Sequence, residues 1–103
     1  MVNIFESLQI KAPFLKALND EKYETPTPIQ KKCIPKVLDG FDILGIAQTG
    51  TGKTAAFSIP ILQLLNASQP ENKRRSTRAL ILAPTRELAI QIGSSVRLYG
   101  KYI

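Results

Sequence analysis

The 103 residues predict an α/β domain in which parallel strands are flanked by helices. Three observations carry this reading. The second half of the chain alternates strand, helix, strand, helix. Both strand candidates, Ile43 to Ala47 and Ala79 to Ala83, are apolar without alternation, as in a sheet covered on both faces. A glycine-bearing loop, Gln48 to Lys53, joins the first of them to an amphipathic helix.

The elements follow in order. Phe5 stands as an aromatic ahead of any regular element. Pro13 suits the first position of a helix, and Phe14, Leu15 and Leu18 form its stripe up to Asn19-Asp20. Tyr23 to Pro28 has two prolines and reads as a fixed loop. Thr27 and Pro28 are an N-cap and first-position pair for a second helix, which turns Ile29, Cys33, Val37 and Leu38 inward and ends at Gly40. Pro35 predicts a kink or a loosened first half in it. Thr54 to Asn66 carries Phe57, Ile61, Leu62 and Leu65 at helical spacing. Ala67 to Thr77 is polar and aperiodic, hence a loop. Thr85 caps a last helix through Leu88, Ile92 and Val96 to about Tyr99.

At 44% hydrophobic and 21% charged, the composition is that of a globular chain, with length for one small domain. The absence of histidine excludes a Ser-His-Asp triad or a His-ligated zinc site within these residues. The single cysteine, Cys33, excludes an internal disulfide. The start, Met1-Val2-Asn3-Ile4-Phe5-Glu6, has no basic segment ahead of a long apolar one, and the longest apolar runs are too short to span a bilayer. A cytoplasmic protein without membrane contact is expected. The net charge of +6 is uneven: residues 1–66 balance at +1 and residues 67–103 at +5. Such asymmetry fits either a polyanionic partner or a solvated surface.

The sharpest motif is Ala47-Gln48-Thr49-Gly50-Thr51-Gly52-Lys53-Thr54. It matches the phosphate-binding pattern G-x-x-x-x-G-K-[ST], with Ala47 in place of the first glycine. Gly50 and Gly52 permit backbone angles that turn amide N–H groups toward phosphate oxygens, and the following helix adds its positive end. Lys53 places a charge against the β and γ phosphates, and Thr54 offers its hydroxyl to Mg²⁺. Gln48, Thr49 and Thr51 are further contact candidates, the threonines either as donors or as filler. The alternative is a glycine-rich turn with a solvated lysine. The acids after this loop are Glu71 and Glu87, and neither follows an apolar strand as an Mg²⁺ carboxylate would.

Two flanking segments narrow the class. Lys22-Tyr23-Glu24-Thr25-Pro26-Thr27-Pro28-Ile29-Gln30 lies upstream, and Pro84-Thr85-Arg86-Glu87-Leu88-Ala89 lies downstream. With Ala47 to Thr54 between them, they resemble the Q motif, motif I and motif Ia of a DEAD-box ATP-dependent RNA helicase. The resemblance runs from Phe5 to Tyr99, and the alanine at 47 is itself a feature of that family. Lys22 departs from it, since the Q motif usually has glycine there. Residues 1–103 are thus expected to be the N-terminal portion of a RecA-like ATP-binding domain, with the Q motif at 22–30, the P-loop at 47–54 and motif Ia at 84–89.

The resemblance implies ATP and Mg²⁺ as cofactors, with Lys53 and Thr54 as the catalytic pair. It implies that Gln30 pairs with the N6 and N7 edge of adenine, which its donor-and-acceptor amide suits. Tyr23 would stack on the base, and Thr27 would tie the Q motif to the P-loop or cap its helix. Phe5 would support the adenine pocket, with core packing as the alternative for it and for Tyr23. For Gln30 the alternative is a solvated helix position. Pro84, Thr85 and Arg86 would hold RNA phosphates without base specificity, Arg86 alternatively bridging internal carboxylates. Lys73, Arg74 and Arg75 read as a solvated loop that raises general RNA affinity.

The Asp-Glu-Ala-Asp box, the Ser-Ala-Thr motif and the second RecA-like domain of that family are not in this sequence. It therefore reads as the front of such a helicase, expected alone to be poorly stable and to hydrolyse no ATP. Its oligomeric state is not legible. A stand-alone nucleotide- or RNA-binding module, and a different P-loop ATPase such as a DNA helicase or kinase, are the competing readings.

Overall fold

Proline in the first turn opens two helices, because its missing N–H is one that a helix start leaves unpaired anyway. In the computed structural model, which describes residues 4–46, 52–68 and 76–103, α1 spans Ala12–Asp20 with Pro13 in its first turn. The second helix, α2, spans Pro28–Leu38 and is capped by Thr27. A third, α3, spans Lys53–Ala67, and α4 spans Arg86–Tyr99. A short 3-10 helix, Ile4–Leu8, precedes them. The expected helices are all present, and α2 continues unbroken across Pro35. Among the described residues no helix is long and apolar enough to cross a membrane.

α3 packs against both α2 and α4, while α1 packs on α4 and the 3-10 helix on α2. Phe5, Leu8, Phe14, Leu18, Ile34 and Ile59 meet in one core, closed at the end of α4 by Tyr99. Two inward stripes differ in part from the expected ones, while Cys33 is buried and Leu38 and Leu62 pack on the core as expected. In α2 the core side is Gln30 and Ile34, with Cys33 also buried. Ile29 and Val37 are half-buried and, with Cys33, face Ile43 and Gly45 across a cavity of about 280 Å³. In α3 the buried residues are Ala55, Ala56, Ser58, Ile59, Pro60 and Gln63, of which the small Ala55, Ala56 and Ser58 admit close helix approach. Phe57, Ile61 and Leu65 are half-buried and turn toward the segments around Gly45 and Ala79.

Those segments are where the strands were expected, and here the structure corrects the sequence. Residues 41–46 and 76–83 form neither helix nor strand, and no strand occurs among the described residues. Ala47 lies outside them. Leu44 is 89% exposed and Leu82 is 83% exposed, whereas Ile43 and Ile81 are about half as open. The alternation of period two is that of a strand with one face against helices and one face bare. A strand also needs a neighbour for its backbone N–H and C=O groups, and neither segment has a ladder partner among the described residues. The helical layer of the α/β prediction is therefore present without its sheet.

Two helices end in the same six-residue motif with different residues at its critical position. After α2, Gly40 has φ +88°, its N–H reaches Val37 O at 3.0 Å, and Phe41 N–H reaches Lys36 O at 3.0 Å. After α1, Lys22 has φ +60°, its N–H reaches Asn19 O at 3.0 Å, and Tyr23 N–H reaches Leu18 O at 2.9 Å. Both are Schellman closures, which require a left-handed residue and favour glycine. The lysine that departs from the Q-motif pattern thus sits where the missing Cβ of glycine is an advantage.

The turn between the 3-10 helix and α1 is held from α3. Gln63 accepts Lys11 N–H at 2.8 Å and donates to Gln9 O at 2.9 Å, both through its buried side-chain amide. The far end of α4 is held from α1. Lys101 Nζ lies 3.0 Å from Asp20 Oδ2, Tyr102 OH donates to the same oxygen, and Lys16 Nζ stands 4.3 Å from the Tyr102 ring centroid.

Two outcomes are expected. Lys22→Gly should raise the unfolding free energy by about 0.5–1 kcal/mol, since left-handed backbone penalises a Cβ by more than glycine loses in the unfolded chain. Denaturant titration reads this. The Asp20 carboxyl is lowered below its ordinary 3.8, first by the Tyr102 hydroxyl and then by Lys101. Tyr102 is raised above 10.0 and Lys101 above 10.5, each mainly by Asp20. The clasp should therefore be intact at neutral pH and be lost as pH falls through the lowered Asp20 value. It should also be lost as pH rises through the raised Lys101 and Tyr102 values. Side-chain NMR titration of the three groups checks both limits.

Candidate nucleotide site and nucleic-acid interface

The site is built at the point where the N-termini of α2 and α3 meet. Thr27 is in extended backbone, so its Oγ1 can accept Gln30 N–H, at 3.4 Å, while Gln30 Oε1 accepts Thr27 N–H at 2.9 Å. This reciprocal capping box satisfies two amides that the helix start leaves open. The other end of the Gln30 side chain, Nε2, donates to Gly52 O at 3.2 Å. Gln30 is 6% exposed, so the solvated reading of this residue is wrong. One lone pair on Oε1 and one N–H on Nε2 remain for a ligand.

Gly52 is the N-cap of α3, with φ +80°. A Cβ there would overlap Gln30 Nε2 and stand 3.2 Å from Thr27 Oγ1. Both the backbone angle and the close approach therefore require glycine. Gly52 O accepts Ala56 N–H at 3.2 Å as the first turn of α3. The amides of Lys53, Thr54 and Ala55 precede any helical partner and lie at the positive end of the helix. Lys53 is exposed and Thr54 half-buried. Gln48, Thr49, Gly50 and Thr51 lie outside the described residues, as do Glu71, Lys73, Arg74 and Arg75.

Tyr23 follows the left-handed Lys22 directly and is 47% exposed. The segment is braced on its other side by Ile4 N–H, which donates to Glu24 O at 3.2 Å. Phe5 is 1% exposed and lies in the core, the packing alternative of its two readings. Its 3-10 helix touches the Tyr23 segment through the Ile4 bond to Glu24.

The second candidate region is the start of α4. Pro84, Thr85 and Arg86 are exposed, and Thr85 Oγ1 accepts Leu88 N–H at 3.2 Å. The hydroxyl hydrogen of Thr85 and the first amides of α4 stay available to an anion. Thr27, Gln30 and Gly52 are thus in contact, and Tyr23 enters on the same loop. The α4 start is a separate locus, linked to them through the packing of α4 on α3 and α1. The sequence reading missed the Gln30–Gly52 bond and the clasp at Asp20. A glutamine three residues after a threonine cap signals the capping box at Thr27 but not the bond from Gln30 to Gly52.

A family model described as DEAD/DEAH box helicase matches residues 27–103. The chain belongs to that family. This DEAD/DEAH box chain is 54% identical over 99 residues to the ATP-dependent RNA helicase DeaD of Escherichia coli (strain K12), covering 96% of itself and 15% of that protein. It is 46% identical over 99 residues to DeaD of Mycobacterium tuberculosis (strain ATCC 25618 / H37Rv), covering 96% of itself and 17% of that relative. The chain thus spans about a sixth of the length of these relatives. Among solved structures it resembles the RNA helicase Prp28 from Chaetomium thermophilum bound to ADP, with TM-score 0.85, 42% identity and coverage of 98% of this chain and 24% of that one. It also resembles S. cerevisiae Dbp5 bound to RNA and ADP BeF3, with TM-score 0.83, 35% identity and coverage of 99% and 25%.

Gly52→Ala should break the Gln30 contact and cost about 1–2 kcal/mol from the left-handed backbone alone. Thr27→Ala should cost about 1 kcal/mol through the lost cap. Denaturant unfolding of both variants checks the order.

Proposed function

We propose that this chain is the ATP- and RNA-binding front of an ATP-dependent RNA helicase, folded in the whole protein as part of a RecA-like α/β domain. The observation that carries it is the Gln30 amide, buried between the cap of α2 and the carbonyl of Gly52. A single side chain there senses the phosphate loop and keeps a donor and an acceptor for a base. Adenine offers the complementary N6 donor and N7 acceptor, whereas guanine offers O6 in place of N6. Tyr23 supplies an exposed ring for stacking.

The residues present fit a nucleotide phosphate. Gly52 turns the chain, the first amides of α3 are unpartnered by the helix, and Lys53 adds a point charge beside them. Gln48, Thr49, Gly50 and Thr51 complete this cradle in the proposal. Mg²⁺ fits only in part: Thr54 offers one hydroxyl, and the described residues hold no cluster of metal-ligating side chains. Bound Mg²⁺ would supply charge neutralisation at the phosphates. Thr54 would orient it, and Lys53 would stabilise charge as it develops.

Pro84, Thr85 and Arg86 are proposed to hold RNA phosphates at the start of α4, which gives binding without base readout. The rest of the ATP and RNA sites would come from the second RecA-like domain. Residues 43–47 and 79–83 would become parallel strands on pairing with further strands of the domain. A cytoplasmic setting belongs to the same proposal, in keeping with the single unpaired thiol of Cys33.

In the full-length protein, Lys53→Ala should abolish RNA-stimulated ATP turnover, and Gln30→Ala should lower the preference for ATP over GTP by at least about tenfold. Arg86→Ala should reduce the salt slope of RNA binding by about 1. Turnover that survives Lys53→Ala, or that ignores RNA, would overturn the reading.

A further inference from the structure

The loop bearing Tyr23 begins in a turn that its own sequence disfavours. Lys22 occupies the left-handed position of the α1 closure, at φ +60°, where the equivalent position after α2 is Gly40. Beside it, Asp20 ends α1, a place where a carboxylate opposes the negative end of the helix. Both features raise the energy of the turn, and the carboxylate is answered by residues just beyond α4.

Lys101 Nζ reaches Asp20 Oδ2 at 3.0 Å, and Tyr102 OH donates to the same oxygen. The Tyr102 ring lies between two ammonium groups, Lys16 at 4.3 Å and Lys101 at 5.3 Å from its centroid. The carboxylate is thus paired by an ammonium 81 positions away and hydrogen-bonded by a hydroxyl 82 positions away, both just beyond the helix that starts at Arg86. Next to the clasp, Tyr99 is buried, and its hydroxyl is raised above its ordinary value by burial first and then by Tyr23 and Glu21. The chain just beyond α4 is thus fixed on the last residue of α1, three positions before Tyr23, and α4 itself packs on α1.

We propose that Asp20, Lys101 and Tyr102 form a positioning clasp that holds the α1 turn closed so that Tyr23 presents its ring to the base of the nucleotide. The clasp rests on the adenine-stacking reading of Tyr23 given above. It makes the base-binding loop dependent on the position of α4, whose opposite end is the proposed RNA contact. Asp20 and Tyr102 act through Tyr23 and do not touch the nucleotide.

The test uses the full-length protein, with Asp20→Asn, Tyr102→Phe and Tyr23→Ala measured side by side. Two probes are titrated: ATP, and inorganic tripolyphosphate, which has the phosphates and no base. Asp20→Asn and Tyr102→Phe should each weaken ATP binding by about two- to fivefold, the range of an exposed ion pair, and leave tripolyphosphate unchanged. Adding Lys22→Gly to Asp20→Asn should restore ATP binding, because glycine closes the turn without help.

Unchanged ATP affinity in both clasp variants, with Tyr23→Ala weakening it, would overturn the clasp and leave the stacking reading standing. Equal losses for ATP and tripolyphosphate would reduce the clasp to general stability and overturn it. A loss that Lys22→Gly does not restore would also overturn it. No effect of Tyr23→Ala on ATP would remove the stacking reading and the clasp together.

Discussion

The side chain of Gln30 joins two helices at their N-termini, and the candidate site depends on that junction. Its oxygen closes the cap of α2, and its nitrogen fixes the carbonyl of Gly52. A buried amide with an unmet donor would cost about 1–3 kcal/mol, so the two bonds are mutually enforcing. The bond to Gly52 sets where α3 begins, hence where its unpartnered amides point. The left-handed backbone of Gly52 is a condition of the same junction, because any Cβ would enter the space of the glutamine nitrogen.

The helices were legible because their ends are written in local chemistry. Thr27 before Pro28, Thr85 before Arg86, and Gly40 after Leu38 each answer a particular unpaired backbone group. Burial was less legible. The stripe Phe57, Ile61, Leu62 and Leu65 reads as a core face, yet only Leu62 of these packs on the core, and the buried residues of α3 include the small Ala55, Ala56 and Ser58. Small residues carry little hydropathy, so a helix that packs by close approach hides its inner face from a pattern read on size and apolarity. The P-loop was legible as a motif and a tie to the Q segment was expected at Thr27, but the Gln30 bond that makes the tie was not legible, since a hydrogen bond spanning 22 positions leaves no local trace.

The Q-motif resemblance and the geometry agree on the value of the Lys22 position. The Q motif usually has glycine there, and the structure shows a left-handed closure that glycine suits best. The closures after α1 and α2 share both hydrogen bonds and differ at the residue that bears the positive φ. The difference lies next to the one ion pair found between described residues, Asp20 with Lys101. A turn weakened by its own residue and strengthened from 80 positions away responds to a distant element in a way that a glycine turn does not. That is a physical basis for linking α4 to the Tyr23 loop.

The segments at 41–46 and 76–83 show how far helices alone can shape a sheet. Ile43 and Gly45 lie against Ile29 and Cys33, and Ala79 lies near Ile61 and Leu65, so α2 and α3 already cover one side of each segment. Arg78 fixes the start of the second segment by donating to Leu65 O at 3.2 Å and Ser68 O at 2.6 Å, which also satisfies carbonyls at the end of α3. The helices thus set the position of the chain and the alternation of its side chains. They cannot supply the ladder, because only another backbone in register offers N–H and C=O groups along the whole length of a strand. The bare leucines at 44, 80 and 82 mark the face that those strands and their covering helices would have to close.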